Sequence, residues 1–254
     1  MNKIKKTKIL NYYSIIIVLS TLIGCNQKKI ESLEWVKTIG SAYFDECYDI
    51  SVDELGNTYF TGVFSDEIKG QQIKSNGALD IVIGKLNKFG DIEWIKSFGG
   101  KKDDEAYCIV TDKKNVYVSG YFSEEITTCD KKFNSIGAGD AFLLKLSKSG
   151  EEIAFHVFGS KGQDEAVTLQ ITDKNEVLVG GFFELELEGF PQIKSNGGVD
   201  AFIAKLGTDD EILEIKNFGG KGNDKFFCNK KTENKTSIFA GSTFCDSTQK
   251  KIIG

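Results

Sequence analysis

Short runs of alternating and apolar positions cover most of this chain, and they return at a step of sixty residues. Asp80, Asp140 and Asp200 each open an apolar stretch that closes on Lys-Leu, at Lys85-Leu86, Lys145-Leu146 and Lys205-Leu206. Gly77, Gly137 and Gly197 precede these aspartates at the same step. Phe98-Gly99, Phe158-Gly159 and Phe218-Gly219 follow them, with Ile39-Gly40 as a slightly shorter precursor. Asp45-Glu46, Asp104-Glu105, Asp164-Glu165 and Asp224-Lys225 come next. Landmarks of different chemistry that move together mark one supersecondary unit written several times.

Within a unit the pattern is that of strands. In the second repeat it predicts four of them, near residues 106–111, 116–122, 141–146 and 153–158, with turns at Asp112–Asn115 and Ser147–Gly150. Aromatic and β-branched residues fill the strands, and Asn, Asp, Gly, Lys and Ser fill the turns. The second strand is apolar on both faces, as in Val116-Tyr117-Val118 and Val177-Leu178-Val179, which predicts cover on two sides. It also carries a column of small pairs, Thr61-Gly62, Ser119-Gly120, Gly180-Gly181 and Ala240-Gly241, expected to let neighbouring sheets approach closely near an axis. The fourth strand alternates, Trp94, Lys96 and Phe98 against Ile95 and Ser97, as an outer, partly wet strand does.

Four-stranded antiparallel sheets repeated radially make a β-propeller. The sequence therefore predicts an all-β fold of about three and a half to four blades within residues 33–254, cut near 35–93, 94–153, 154–213 and 214–254. The last repeat lacks a Gly-x-Asp-Ala-Phe strand. Two closures are expected alternatives: a four-bladed ring in which Gln249–Ile253 is a third strand and Glu34–Ile39 supplies the fourth, or a longer protein with further blades. The second is favoured because strand edges left open are usually covered; an open arc is the remaining outcome.

The first residues read differently. Lys3, Lys5, Lys6 and Lys8 precede an apolar run from Tyr12 to Ile23, too short to span a bilayer comfortably as a helix, and the run ends Leu22-Ile23-Gly24-Cys25. This order resembles a bacterial lipoprotein signal. The resemblance implies a signal peptide over residues 1–24, acylation of Cys25 as the lipid attachment site, and a tether over residues 25–32. Acyl chains bind at about 0.8 kcal/mol per buried methylene, so membrane lipid is the expected first partner. Asn26 after the cysteine favours the outer membrane, and the cell envelope is the expected location.

Composition narrows the chemistry further. All 32 basic residues are lysines, and the net charge is −5. Arginine, the residue best suited to bidentate contacts with phosphate or guanine, is missing, so no nucleic acid is expected. Beyond Cys25 five cysteines remain, Cys47, Cys108, Cys129, Cys228 and Cys245, without a Cys-x-x-Cys pair; Cys108 and Cys228 are expected to be buried thiols rather than disulfides or metal ligands. No cofactor or metal is expected.

The motif Phe98-Gly99-Gly100, Asp104-Glu105-Ala106, Asp112, Asn115-x-Tyr117, Gly120, then Asp140-Ala141-Phe142 and Lys145-Leu146 resembles the SBBP-type bacterial β-propeller repeat. The likeness covers about Leu33 to Phe244, with departures at Asp80-Ile81-Val82 and Asn175-Glu176-Val177-Leu178. It implies a propeller acting as a binding or scaffolding surface, and no catalytic residues.

Antiparallel order places the loops 99–105, 159–165 and 219–224 on one face with the long segments 65–79, 123–139 and 184–199. This face collects glycine, Asn and carboxylate, and it is the candidate site for a glycan or protein ligand or a cation. The competing reading has Asp80, Asp140, Asp200 and the Asp104 series bonding N–H groups of their own turns. An enzyme reading, a propeller hydrolase or lyase acting on a glycan or peptide there, is the alternative. Its support is thin, since His156 is the only histidine and is expected to lie exposed on an outer strand.

Overall fold

The computed structural model describes residues 35–243, and all regular structure in it is β. The first repeat holds β1 (Asp45–Val52), β2 (Thr58–Phe64), a separate small hairpin of β3 (Glu67–Ile68) and β4 (Ile73–Lys74), then β5 (Asp80–Leu86) and β6 (Ile92–Phe98). The second repeats it with β7 (Glu105–Thr111), β8 (Asn115–Phe122), a hairpin of β9 (Glu125–Thr128) and β10 (Lys131–Asn134), β11 (Asp140–Ser147) and β12 (Glu152–Phe158). The third contains β13 (Glu165–Ile171), β14 (Val177–Glu186), β15 (Lys194–Leu206) and β16 (Ile212–Phe218). A two-stranded sheet of β17 (Asp224–Lys231) and β18 (Ser237–Thr243) follows.

Sheet order is the same each time: β1-β2-β5-β6, β7-β8-β11-β12 and β13-β14-β15-β16, with every pair antiparallel. Strand bounds expected for the second repeat agree with those observed to about one residue. The hairpins β3–β4 and β9–β10 lie inside segments expected to be loops; in the third sheet that excursion merges into the long ends of β14 and β15.

The two central strands of the first and second four-stranded sheets are buried on both faces, as the double-faced apolar pattern requires. One core lies between the first two sheets, where Tyr59, Ile83 and Phe98 meet Ile109, Val118 and Phe142. A second lies between the next two, where Leu143 and Phe158 meet Leu169, Val179 and Phe202. Each such side chain contributes about 1.5–3 kcal/mol when removed from water, so the sheets are joined mainly by these two cores.

The first strands also bond across the junctions. Ile109 N–H donates to Asp49 Oδ2 at 2.9 Å, Leu169 N–H to the Cys108 sulfur at 3.3 Å, and Asn229 Nδ2 to Thr168 Oγ1 at 2.7 Å. Residues 35–40 form no strand; Trp35 and Ile39 instead pack against the first sheet. The expected fourth strand from Glu34–Ile39 is therefore absent over the described part of that segment, and Gln249–Ile253 lies outside the described residues. Among the described residues the sheets do not close a ring.

Candidate functional site

The aspartates expected on the loop face are used internally. Asp80, Asp104, Asp140, Asp164 and Asp200 have no exposed surface. Asp80 accepts from Asn76 N–H at 2.8 Å, Asp140 from Ile136 N–H at 2.9 Å and Asp200 from Asn196 N–H at 3.1 Å. The second series ties two loops together. Asp104 accepts from Gly100 N–H at 2.7 Å and Ser123 N–H at 2.9 Å, and Asp164 from Ser160 N–H at 2.5 Å and Glu184 N–H at 3.0 Å.

Burial dominates the titration of Asp80, Asp104, Asp140 and Asp164 and raises all four. It pushes Asp80 up to about 6, and Asp104 and Asp164 up to about 7, against the lowering effect of the N–H donors. These side chains brace turns and are closed to a ligand. Among the described residues no group of three or more His, Cys, Asp or Glu could hold a metal ion.

A different feature produces an open surface. Every first strand slips register once against its second strand, between Cys47 and Asp49, Ala106 and Cys108, Ala166 and Thr168, and Phe226 and Cys228. The extra residue of each bulge is Tyr48, Tyr107, Val167 or Phe227. The glycines of the small-residue column are what permit it. A Cβ on Gly62, Gly120, Gly181 or Gly241 would lie 2.0, 1.8, 1.9 or 1.7 Å from the carbonyl oxygen of Glu46, Glu105, Glu165 or Lys225. The column was expected to serve contact between sheets; these glycines instead admit the partner backbone within one sheet. Gly180 does serve the expected role, since a Cβ there would come within 2.6 Å of the Phe239 ring.

The bulges bring side chains from successive sheets into one open groove of about 500 Å³, lined by Tyr48, Tyr107, Glu165, Val167, Phe182, Lys225 and Phe227. At one end Tyr48 O–H donates to Glu105 Oε2 at 2.8 Å and Tyr121 O–H donates to Glu105 Oε1 at 3.2 Å. The Tyr107 ring stands 5.5 Å from Tyr48 and 6.0 Å from Tyr121, centre to centre. Burial and the neighbouring glutamates hold Tyr48, Tyr107 and Tyr121 well above the ordinary phenol range, so all three remain neutral donors. At the other end Lys225 Nζ lies 3.7 Å from the centre of the Phe182 ring. Burial raises Glu165, opposed by the Lys225 charge. Phe227 is 54% exposed.

Two residues singled out from the sequence behave otherwise than expected. His156 is half-buried rather than exposed; burial lowers its pKa, and its Nε2 has no hydrogen-bond partner. Cys228, on β17, is exposed, whereas Cys108 is partly buried with its thiol pushed up by burial. Cys47, Cys108, Cys129 and Cys228 are all free thiols. The lipid attachment candidate Cys25, the signal and tether residues before Trp35, and Cys245 lie outside the described residues.

Sequence reasoning missed the groove. Glu105-Ala106-Tyr107-Cys108 reads as an unbroken strand, and a bulge changes which way a side chain faces without changing composition. The glycine column facing the bulge was the available signal.

No protein-family model matches this chain. It is 25% identical over 167 residues to the regulatory protein FlaEY of Caulobacter vibrioides, covering 62% of this chain and 17% of that protein, so it spans a small part of that relative's length. A crystal structure of a protein of unknown function from Bacteroides caccae aligns with 77% of this chain and 53% of its own at 12% identity and a TM-score of 0.40.

Proposed function

We propose that this protein is an exported lipoprotein, held to the cell envelope through acylated Cys25, whose sheets are blades of an SBBP-type β-propeller used as a non-catalytic binding or scaffolding module. The N-terminal order of lysines, apolar run and Gly24-Cys25 supports the anchor. Repetition of one strand order, with first strands adjacent at each junction, supports the propeller.

The observation that carries the binding role is the groove. Each described first strand bulges at the same place, and each bulge contributes a residue to one open surface bearing rings, carboxylates and an ammonium. The bracing aspartates are fully buried, whereas Phe227 is exposed and Tyr48, Tyr107, Glu165, Val167 and Lys225 are half-buried at the groove. Half-buried phenol rings beside an exposed Phe227 supply large contact area at low entropy cost.

The test uses the full-length protein in detergent, applied to arrays of envelope glycans and peptides. Phe227→Ser should fold with an unchanged melting midpoint and Tyr107→Ser with a somewhat lower one, and both should lose the ligand retained by the wild type. A wild-type protein that retains nothing, or variants that retain as much, would remove the groove as the site. Intact mass of the extracted protein tests the anchor: cleavage before Cys25 plus acyl mass is expected, and an unmodified N-terminus contradicts it.

A further inference from the structure

We propose that the tyrosine end of the groove receives lysine side chains of a polypeptide partner, with Glu105 and Glu165 as counter-charges and the Tyr48 and Tyr107 rings as walls. This rests on the binding-module reading and names its ligand class.

The groove already contains an example of the interaction. Lys225 stands in the slot that Glu46, Glu105 and Glu165 occupy in the other repeats, and its ammonium sits over the Phe182 ring while its charge acts on Glu165. A primary ammonium between an aromatic face and a carboxylate is stabilised by both the ring quadrupole and the opposite charge. The tyrosine end offers the same two components. Glu105 accepts one phenolic O–H on each oxygen, which leaves a lone pair on each for a further donor. Among the described residues no lysine lies within ion-pair distance of Glu105 or Glu165. Glu46 and Glu105 both act on Tyr48, and Glu105 also on Glu165, so negative charge gathers at the tyrosine end, away from Lys225.

The open shape and volume favour a chain over a small amine. One ammonium fills a small fraction of about 500 Å³, and the carboxylates come one per sheet. A segment bearing several lysines engages more than one of them, and each contact raises the effective concentration of the next.

The experiment measures binding of a fluorescent hexalysine peptide to the full-length protein in detergent, at low and physiological salt. Wild type should bind, more weakly at higher salt, and the N-acetylated peptide and butylamine should not compete. Glu105→Gln, whose amide oxygen accepts from one tyrosine while its NH2 donates to the other phenol oxygen, should weaken binding at least fivefold. Lys225→Glu, which restores the slot to the residue of the other repeats, should tighten it. Glu188→Gln, an exposed charge away from the groove, should change nothing.

Absence of hexalysine binding, or equal weakening by Glu105→Gln and Glu188→Gln, overturns the assignment. If a neutral glycan is retained and Tyr107→Ser abolishes that retention while hexalysine fails to bind, the binding-module reading stands and the lysine assignment falls.

Discussion

The junction between the first and second sheets and the junction between the second and third share a geometry and differ in chemistry. In the first, Trp94 on β6 lies against Gly150 in the β11–β12 turn, and its indole N–H donates to Lys148 O at 3.1 Å. Gly150 has φ +85°, and a Cβ there would lie 3.0 Å from the indole. In the second junction Ala154 takes the place of Trp94, and Asp210 that of Gly150. With the indole gone a side chain fits, even at φ 65°, and Asp210 reaches back to Lys145 Nζ at 2.7 and 2.9 Å. Trp35 over Gly90, with its indole bonded to Lys88 O at 3.1 Å, repeats the first solution at the edge of the first sheet.

The groove shows the same rule. Tyr48 meets Glu105, and Tyr107 approaches Glu165, but the next pair is Val167 and Lys225, where neither a phenol nor its acceptor remains. Partners about one repeat apart are replaced together. The unit of variation is a pair across a junction.

The largest expected effect is common to both junctions. Asp80, Asp104 and Asp164 titrate in the folded protein near 6, 7 and 7, well above an unfolded value near 4. Between about pH 4 and 7 the folded state binds more protons than the unfolded one, so stability is greatest at the acid end and falls as pH rises through 6 to 7. Thermal melts from pH 5 to 8 should show the midpoint decreasing. A midpoint that rises over this range would mean that the N–H donors outweigh burial.

The indole junction is the more expensive to damage. Trp94→Ala should cost about 3 kcal/mol, at the low end for a large aromatic because the ring is half-buried. Asp210→Gly keeps the backbone angle and strands the Lys145 ammonium, costing about 2 kcal/mol, reduced because Asp210 is partly exposed. Urea unfolding of both variants checks the order. A larger loss for Asp210→Gly would reverse the comparison.

Much of this framework was legible before the structure. Alternation and the sixty-residue step located the strands of the second repeat, because one buried face fixes a strand's register. The inward role of Asp80, Asp140 and Asp200 was one of two open readings, since a short carboxylate in a glycine-rich loop suits either a turn or a ligand. The groove was not legible. Tyr107 sits in a run that alternates acceptably with or without a bulge, and Gly120 suits both a sheet contact and a bulge. The exchange of Trp94 and Gly150 for Ala154 and Asp210 was present in the letters, yet only the packing shows that the two positions touch. Exposure of Cys228 depends on what covers β17, which no local pattern encodes.

The coupled-pair account is tested most directly by a double-mutant cycle in the second junction. Ala154→Trp alone places an indole against the Asp210 side chain, and Asp210→Gly alone strands Lys145; both should destabilise. Together they install the first junction's solution, and the double variant should be more stable than the sum of the singles predicts by about 1 kcal/mol or more. Additivity within about 0.5 kcal/mol would show that the two positions vary independently and would contradict the account.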